Sequence, residues 1–185
     1  METVTSTLPR TAGPMTRAEL DALPDDGRRH ELIDGVLVAS PAPAWQHQRI
    51  LLNLTLALHA ARPSGLTLLF APFDVVLGPD TVMEPDLLVA RTDDMTERDL
   101  PVAPLLAVEV LSPSTRRFDL TLKKSRFEAA GCPSYWAIDP EGPRITAWEL
   151  REGRFEQVAD VVGDEPFAAT SPCPVTMVPK DLLAD

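Results

Sequence analysis

The residues most able to do chemistry in this chain are acids placed where apolar strands are expected. Glu109 sits inside Leu105-Leu106-Ala107-Val108-Glu109-Val110-Leu111, the most hydrophobic run of the sequence. Asp86 opens a second apolar run, Asp86–Ala90, directly after Pro85, and Glu31 begins a third, with Leu32 and Ile33 behind it. Burying a carboxylate in such a strand is costly unless it is paired, hydrogen-bonded or bound to a cation. Three carboxylates at strand positions suit a hard divalent cation such as Mg2+ better than a soft metal. The histidines, His30, His47 and His59, are spaced neither three nor four apart, so no helical zinc pair exists. The competing reading pairs each acid with an arginine. For one acid the two readings weigh about equally, and for all three together simple pairing is the weaker.

A lysine is the next candidate. On a helix over Phe118–Ala130, about 100° per residue places Lys123 between Phe127 and Ala130, facing inward. An inward ammonium beside a strand bearing Glu109 is either a core ion pair or a catalytic charge that steadies a phosphate oxygen. The segment Arg116–Arg126 also holds five of the 17 basic residues, the one place where local charge opposes the global balance. A solvated helix face is the plain alternative. His47 could approach the same site from an earlier helix, although a packing role weighs more. Asp74 reads as an ordinary sheet-face acid.

These side chains need elements to hold them. Thr16 to Glu19 has the form of a capping box opening a short helix to about Leu23. His30–Ser40 reads as a hairpin turning at Asp34-Gly35. Ile50, Leu51, Leu54 and Leu58 recur at helical spacing from Trp45 to Arg62, with Pro63 as the stop. Strands are expected at Leu66–Phe70, Phe73–Leu77, Asp86–Ala90 and Leu105–Leu111, with a charged loop from Arg91 to Pro101. The unalternating Leu105–Leu111 should be central. Further strands are expected at Tyr135–Ile138, Ile145–Leu150 and Phe155–Val161, after the helix that carries Lys123. This order predicts an α/β or α+β domain with a mixed sheet flanked by helices. Residues 1–14 read as a loose segment, and 15–185 as a single domain.

Composition bounds the alternatives. A chain of 185 residues, 44% hydrophobic and 24% charged, is of ordinary globular make-up and long enough for one sizeable core. No run approaches the roughly 20 apolar residues of a membrane span, and the N-terminal stretch lacks a signal-peptide pattern. Cys132 and Cys173 read as free thiols, which suits a cytoplasmic location. No phosphate-loop, dinucleotide or nucleophile-elbow motif occurs. A net charge of −11 speaks against a surface built to coat nucleic acid.

A set of motifs then matches a known family in order. Arg29-His30-Glu31-Leu32-Ile33-Asp34-Gly35, Ser40-Pro41-Ala42-Pro43, and His47 resemble the opening of the Uma2 family. Glu84-Pro85-Asp86-Leu87 and Val108-Glu109-Val110-Leu111-Ser112-Pro113-Ser114-Thr115 continue the match. Asp119, Lys123, Phe127 and Tyr135-Trp136-Ala137-Ile138-Asp139-Pro140 complete it, over roughly residues 16–150. The resemblance implies a restriction-endonuclease-like fold of the PD-(D/E)xK nuclease superfamily. Asp86 and Glu109 would bind Mg2+, or Mn2+ in its place, and Glu31 would complete the acidic cluster. The lysine usual two residues after the second acid is Leu111 here, and the resemblance moves that role to Lys123. Phe127, Cys132 and Ser134 depart from the family's usual Tyr, Val and Glu, away from the expected ligands.

The leading expectation is therefore a Mg2+-dependent endonuclease acting on DNA at one cleft, with weak, salt-sensitive binding helped by the basic residues at 116–126. The alternatives are a catalytically idle interaction or DNA-binding module of the same fold, and a hydrolase of another phosphate ester. A homodimer is compatible with cutting two strands.

Overall fold

The computed structural model describes residues 13–184, so the segment expected to be loose lies almost wholly outside the described residues. Thr16 opens helix α1 (Arg17–Asp21), its backbone N–H donating to Glu19 Oε2 at 2.8 Å as the capping box requires. Strands β1 (Arg29–Ile33) and β2 (Val36–Ser40) form the expected hairpin. Asp34 and Gly35 both have positive φ, 51° and 76°, the signature of a primed two-residue turn. Gly35 is also demanded by space, since a Cβ there would collide with Pro14. Helix α2 (Trp45–Ala61) buries Ile50, Leu54 and Leu58 and ends where Arg62 turns extended before Pro63.

The chain continues through β3 (Leu66–Phe70), β4 (Asp74–Gly78), β5 (Thr81–Met83), β6 (Leu87–Arg91), β7 (Asp99–Leu100) and β8 (Leu106–Val110). Helix α3 then spans 116–129, with a π-helical turn at Asp119–Lys123 between two α segments. The strands β9 (Ser134–Asp139), β10 (Arg144–Arg151), β11 (Arg154–Val162), β12 (Phe167–Ala169) and β13 (Val175–Met177) follow, and a 3-10 turn at Pro179–Leu183 closes the described chain.

A six-stranded sheet runs in the order β11-β10-β9-β8-β6-β3, mixed because β8 and β9 are parallel. As the unalternating apolar run requires, β8 is internal and every one of its residues is buried. Alternation along β8 splits the core between the two faces of this sheet. Leu106, Val108 and Val110 pack with Ile50, Leu54 and Leu58 of α2 and with Phe167, Cys173 and Leu182 of the C-terminal segment. Ala107 and Leu111 pack on the other side, against Phe127 of α3 and against Ile33, Val75 and Met83. Those last three belong to a second, five-stranded sheet ordered β2-β1-β5-β4-β7.

The mixed sheet flanked by helices is thus present, with a second sheet laid against it that strand order alone does not foretell. Two local expectations change. The charged loop after Arg91 contributes β7, which pairs in parallel with β4 through Asp74↔Asp99 and Val75↔Leu100. The tail beyond residue 162 adds the β12–β13 pair, whose Phe167 meets Trp136 edge-on at 4.9 Å.

Candidate active site

Strand register brings the first two acids together. The antiparallel pairs Leu87↔Val108 and Leu88↔Ala107 continue by one step to set Asp86 opposite Glu109. Both lie on the side of the sheet that Ala107, Leu88 and α3 share, because side chains alternate. The second sheet supplies the third acid: pairing of β1 with β5 through Leu32↔Val82 lets the Glu84 backbone N–H donate to Glu31 Oε1 at 2.8 Å. On α3, Asp119, Lys123 and Phe127 recur every fourth residue and are all buried, with the π turn spanning the first two. Such turns gather at functional sites.

Lys123 joins the two sheets. Its Nζ stands 2.8 Å from Glu31 Oε1 and 2.7 Å from Glu109 Oε1, and all three side chains are at most 2% exposed. Asp86 is held separately. Its Oδ1 accepts from Arg29 Nη1 at 2.8 Å, while its Oδ2 accepts from the Val110 backbone N–H at 2.8 Å and faces His47 Nε2 at 3.0 Å. Arg29 reaches back toward Glu31 Oε2 at 4.0 Å and so links the two halves. Fully buried Tyr135 fixes the helix from below, its hydroxyl donating to the Asp119 carbonyl at 2.8 Å.

The electrostatics follow from five buried acids, Glu31, Glu84, Asp86, Glu109 and Asp119, facing Lys123 and Arg29. Burial alone would raise Asp86, but the hydrogen bond and charge of His47, then Arg29 and Lys123, hold it below the usual carboxylate range. Burial drives Glu109 well up, and Lys123 offsets this only in part because Asp86, Asp119 and Glu31 add to it. Glu84 is pushed up to about 7 by burial and the Glu31 charge. Asp119 rises to about 6 through burial, tempered by Lys123. Burial would lower Lys123, yet Glu109 and Glu31 keep it firmly protonated.

A cleft of about 1600 Å3 opens over this group, and Arg29, Glu31, His47, Glu84, Asp86 and Glu109 line its floor. Lys123 lies beneath the carboxylates, outside the cleft lining. Among the described residues, no three His, Cys, Asp or Glu side chains are set out as a ready cation cage. The ammonium of Lys123 and the guanidinium of Arg29 sit on the carboxylates instead. The donor chemistry still fits a hard divalent ion, being made of carboxylate oxygens in excess of local positive charge. Glu109 Oε1 and Glu84 Oε2 are buried without an aligned hydrogen-bond donor, the Lys123–Glu109 contact being ionic in distance but not in hydrogen-bond direction.

Glu31, Asp86, Glu109 and Lys123, singled out from sequence, therefore meet under one cleft. Asp74 does not join them and pairs with Arg17 at 3.2 Å. His47, for which packing weighed more, reaches Asp86. Arg29, Glu84 and Asp119 stood in the matching motifs but were given no role at the site. Their signals were present as spacings: Arg29 is two before Glu31 on one strand face, Glu84 is two before Asp86, and Asp119 is one helical turn before Lys123. The expected basic platform at 116–126 is reduced to Arg117, exposed one residue before the cleft-lining Phe118. Arg116 is taken by Asp139 at 2.6 Å, Arg126 by Asp34 at 2.6 Å, and Lys124 lies 4.5 Å over the Trp148 ring. The partners are distant in sequence, so a linear reading counts these charges as available when the fold has used them.

The described residues thus form an α/β domain with a group of acids beneath one cleft. The model of the Uma2 family, described as "Putative restriction endonuclease", matches residues 17–176. The chain belongs to the Uma2 family. The crystal structure of a "putative nuclease belonging to DUF820" from Anabaena variabilis ATCC 29413 superposes with a TM-score of 0.71 at 21% identity. The match covers 92% of this chain and 98% of that one, a likeness of fold. No curated protein matches the chain.

Proposed function

We propose that this protein is a metal-dependent phosphodiesterase that hydrolyses the DNA backbone in the acidic cleft. The observation that carries this reading is the excess of buried acid over base beneath an open cleft, in a chain of a nuclease-described family. Glu109 and Asp86, with Glu31 beside them, would hold Mg2+ or Mn2+. A divalent cation bound there supplies Lewis-acid polarisation of a phosphate oxygen and lowers the pKa of a water. Arg29 and the Val110 N–H keep Asp86 ionised and aimed. Lys123 anchors Glu31 and Glu109 and places positive potential under the phosphate. His47, at the cleft wall beside Asp86, is positioned to exchange a proton with water there.

One observation favours the idle module instead: Lys123 and Arg29 already neutralise part of the acid without any added cation. Gel assays on single-stranded circular DNA and on supercoiled plasmid separate the two. Nicking that requires Mg2+ or Mn2+ and falls at least about 100-fold in Glu109→Gln, with the circular dichroism spectrum unchanged, supports hydrolysis. Equal activity in wild type and variant, or none in any metal, leaves the idle module.

A further inference from the structure

From the charge and the walls of the cleft, we infer that its substrate is a single-stranded segment of DNA, seated with a base against Phe70, and not an intact duplex. This rests on the phosphodiesterase reading above and refines its substrate class.

Charge is the first observation. Duplex DNA presents one phosphate per about 1.7 Å of axis, and binding it depends on lysines and arginines that replace its counterions. The cleft lining holds Arg28 and Arg29 against Glu31, Glu84, Asp86, Glu109, Asp119 and Glu141. Arg29 is committed to Asp86. On the neighbouring helix, Arg116 and Arg126 are spent on acids and Lys124 on a tryptophan ring. Arg117 stays exposed one residue before the cleft-lining Phe118, a single charge, and two further arginines lie far off. Arg62 follows α2, fifteen residues beyond His47 and so about 22 Å away along the axis. Arg91 closes β6, at the opposite end of the strand from Asp86. No track of positive charge flanks the acids among the described residues. A single strand carries about half the linear charge of a duplex and needs correspondingly less neutralisation.

The walls are the second observation. Away from the acids the lining is mostly apolar, including Pro41, Leu52, Phe70 and Pro72. Phe70 is 60% exposed at the end of β3, and Leu52 is 53% exposed on the facing side of α2. An exposed aromatic ring beside aliphatic side chains gains little from a duplex, whose bases are stacked on one another. Unpaired bases offer free π-faces, and each stacked base contributes enough that losing its aromatic partner weakens binding about five-fold or more. The cleft, at about 1600 Å3, exceeds the roughly 300–1,000 Å3 of small-molecule pockets and accommodates a run of nucleotides.

The test uses full-length protein, a fluorescent oligo-dT, a hairpin duplex of matched length and an oligo-U. Anisotropy in Ca2+ measures binding, and gel assays in Mg2+ measure cleavage of the same strands. The expected result is oligo-dT bound at least ten-fold more tightly than the duplex, with a shallow salt dependence. Phe70→Ala should weaken that binding about five-fold or more with an unchanged melting temperature, since the ring is largely exposed. Equal or tighter duplex binding, a silent Phe70→Ala, or preference for oligo-U would overturn the inference. Duplex cleavage as fast as single-strand cleavage sinks this proposal alone. Selective oligo-dT binding without cleavage in any metal upholds the preference and sinks the phosphodiesterase reading.

Discussion

Replacing Lys123 with methionine removes one ammonium and little volume, and so isolates the charge that joins the two sheets. In the native protein that charge sits within 2.8 Å of both Glu31 and Glu109. All three side chains are at most 2% exposed, so water cannot take over its role. Breaking a buried ion pair from one side costs about 3–5 kcal/mol, because an uncompensated carboxylate is left behind. For a domain of this size each kcal/mol lowers the melting temperature by about 2–4 °C. Lys123→Met should therefore melt about 6–20 °C below wild type at pH 7.5 in a circular-dichroism scan. The deficit should shrink on acidification. Without the ammonium Glu109 binds a proton still more readily when folded than when unfolded, so lowering the pH favours the folded variant. Glu109→Gln added to Lys123→Met should likewise recover part of the loss, since the second neutralisation removes a stranded charge. A variant melting within about 2 °C of wild type, or a deficit identical at pH 5.5 and 7.5, would refute the claim that Lys123 holds this cluster by charge.

Other consequences are open to measurement. Glu84 and Asp119 titrate near 7 and 6 in the fold, above the ordinary 4.5 and 3.8, so the folded state binds more protons across that window. Stability in metal-free buffer should then fall by a few kcal/mol as pH rises from about 4.5 to 7, and saturating Mg2+ should flatten the slope. Asp86, depressed instead, stabilises the fold above its ordinary 3.8 and loses that effect only as pH falls below it. Denaturant midpoints that rise with pH through that window, or ignore Mg2+, would contradict the acid-excess account. Gly35→Ala should cost about 1–3 kcal/mol by urea unfolding, from the positive φ and the contact with Pro14; an unchanged midpoint would show that the turn can relax.

Much of the site was legible because its physics is local. Glu109 stood out as a charge within an unbroken apolar strand, and Lys123 followed from helical phase against Phe127. The Asp34-Gly35 turn and the stop at Pro63 were written in residues whose backbone preferences are nearly private. What escaped depends on partners far away in sequence. Glu84 reaches Glu31 only because β5 pairs with β1, and His47 reaches Asp86 only because α2 packs across the sheet. The basic residues of α3 misled for the same reason: Asp34 and Asp139, which neutralise two of them, arrive from a hairpin turn and a strand end. The π turn that carries Asp119 and Lys123 inward has no propensity signature comparable to a cap or a proline.

The central claim, that Glu31, Asp86 and Glu109 form one divalent-cation site, is tested most directly by calorimetric titration of Mn2+ into the metal-free protein at pH 7.5. One saturable site per chain is expected, with proton release on binding as raised acids ionise and loss of that site in Asp86→Asn. No saturable heat in the wild type, or an isotherm unchanged in Asp86→Asn, would contradict it.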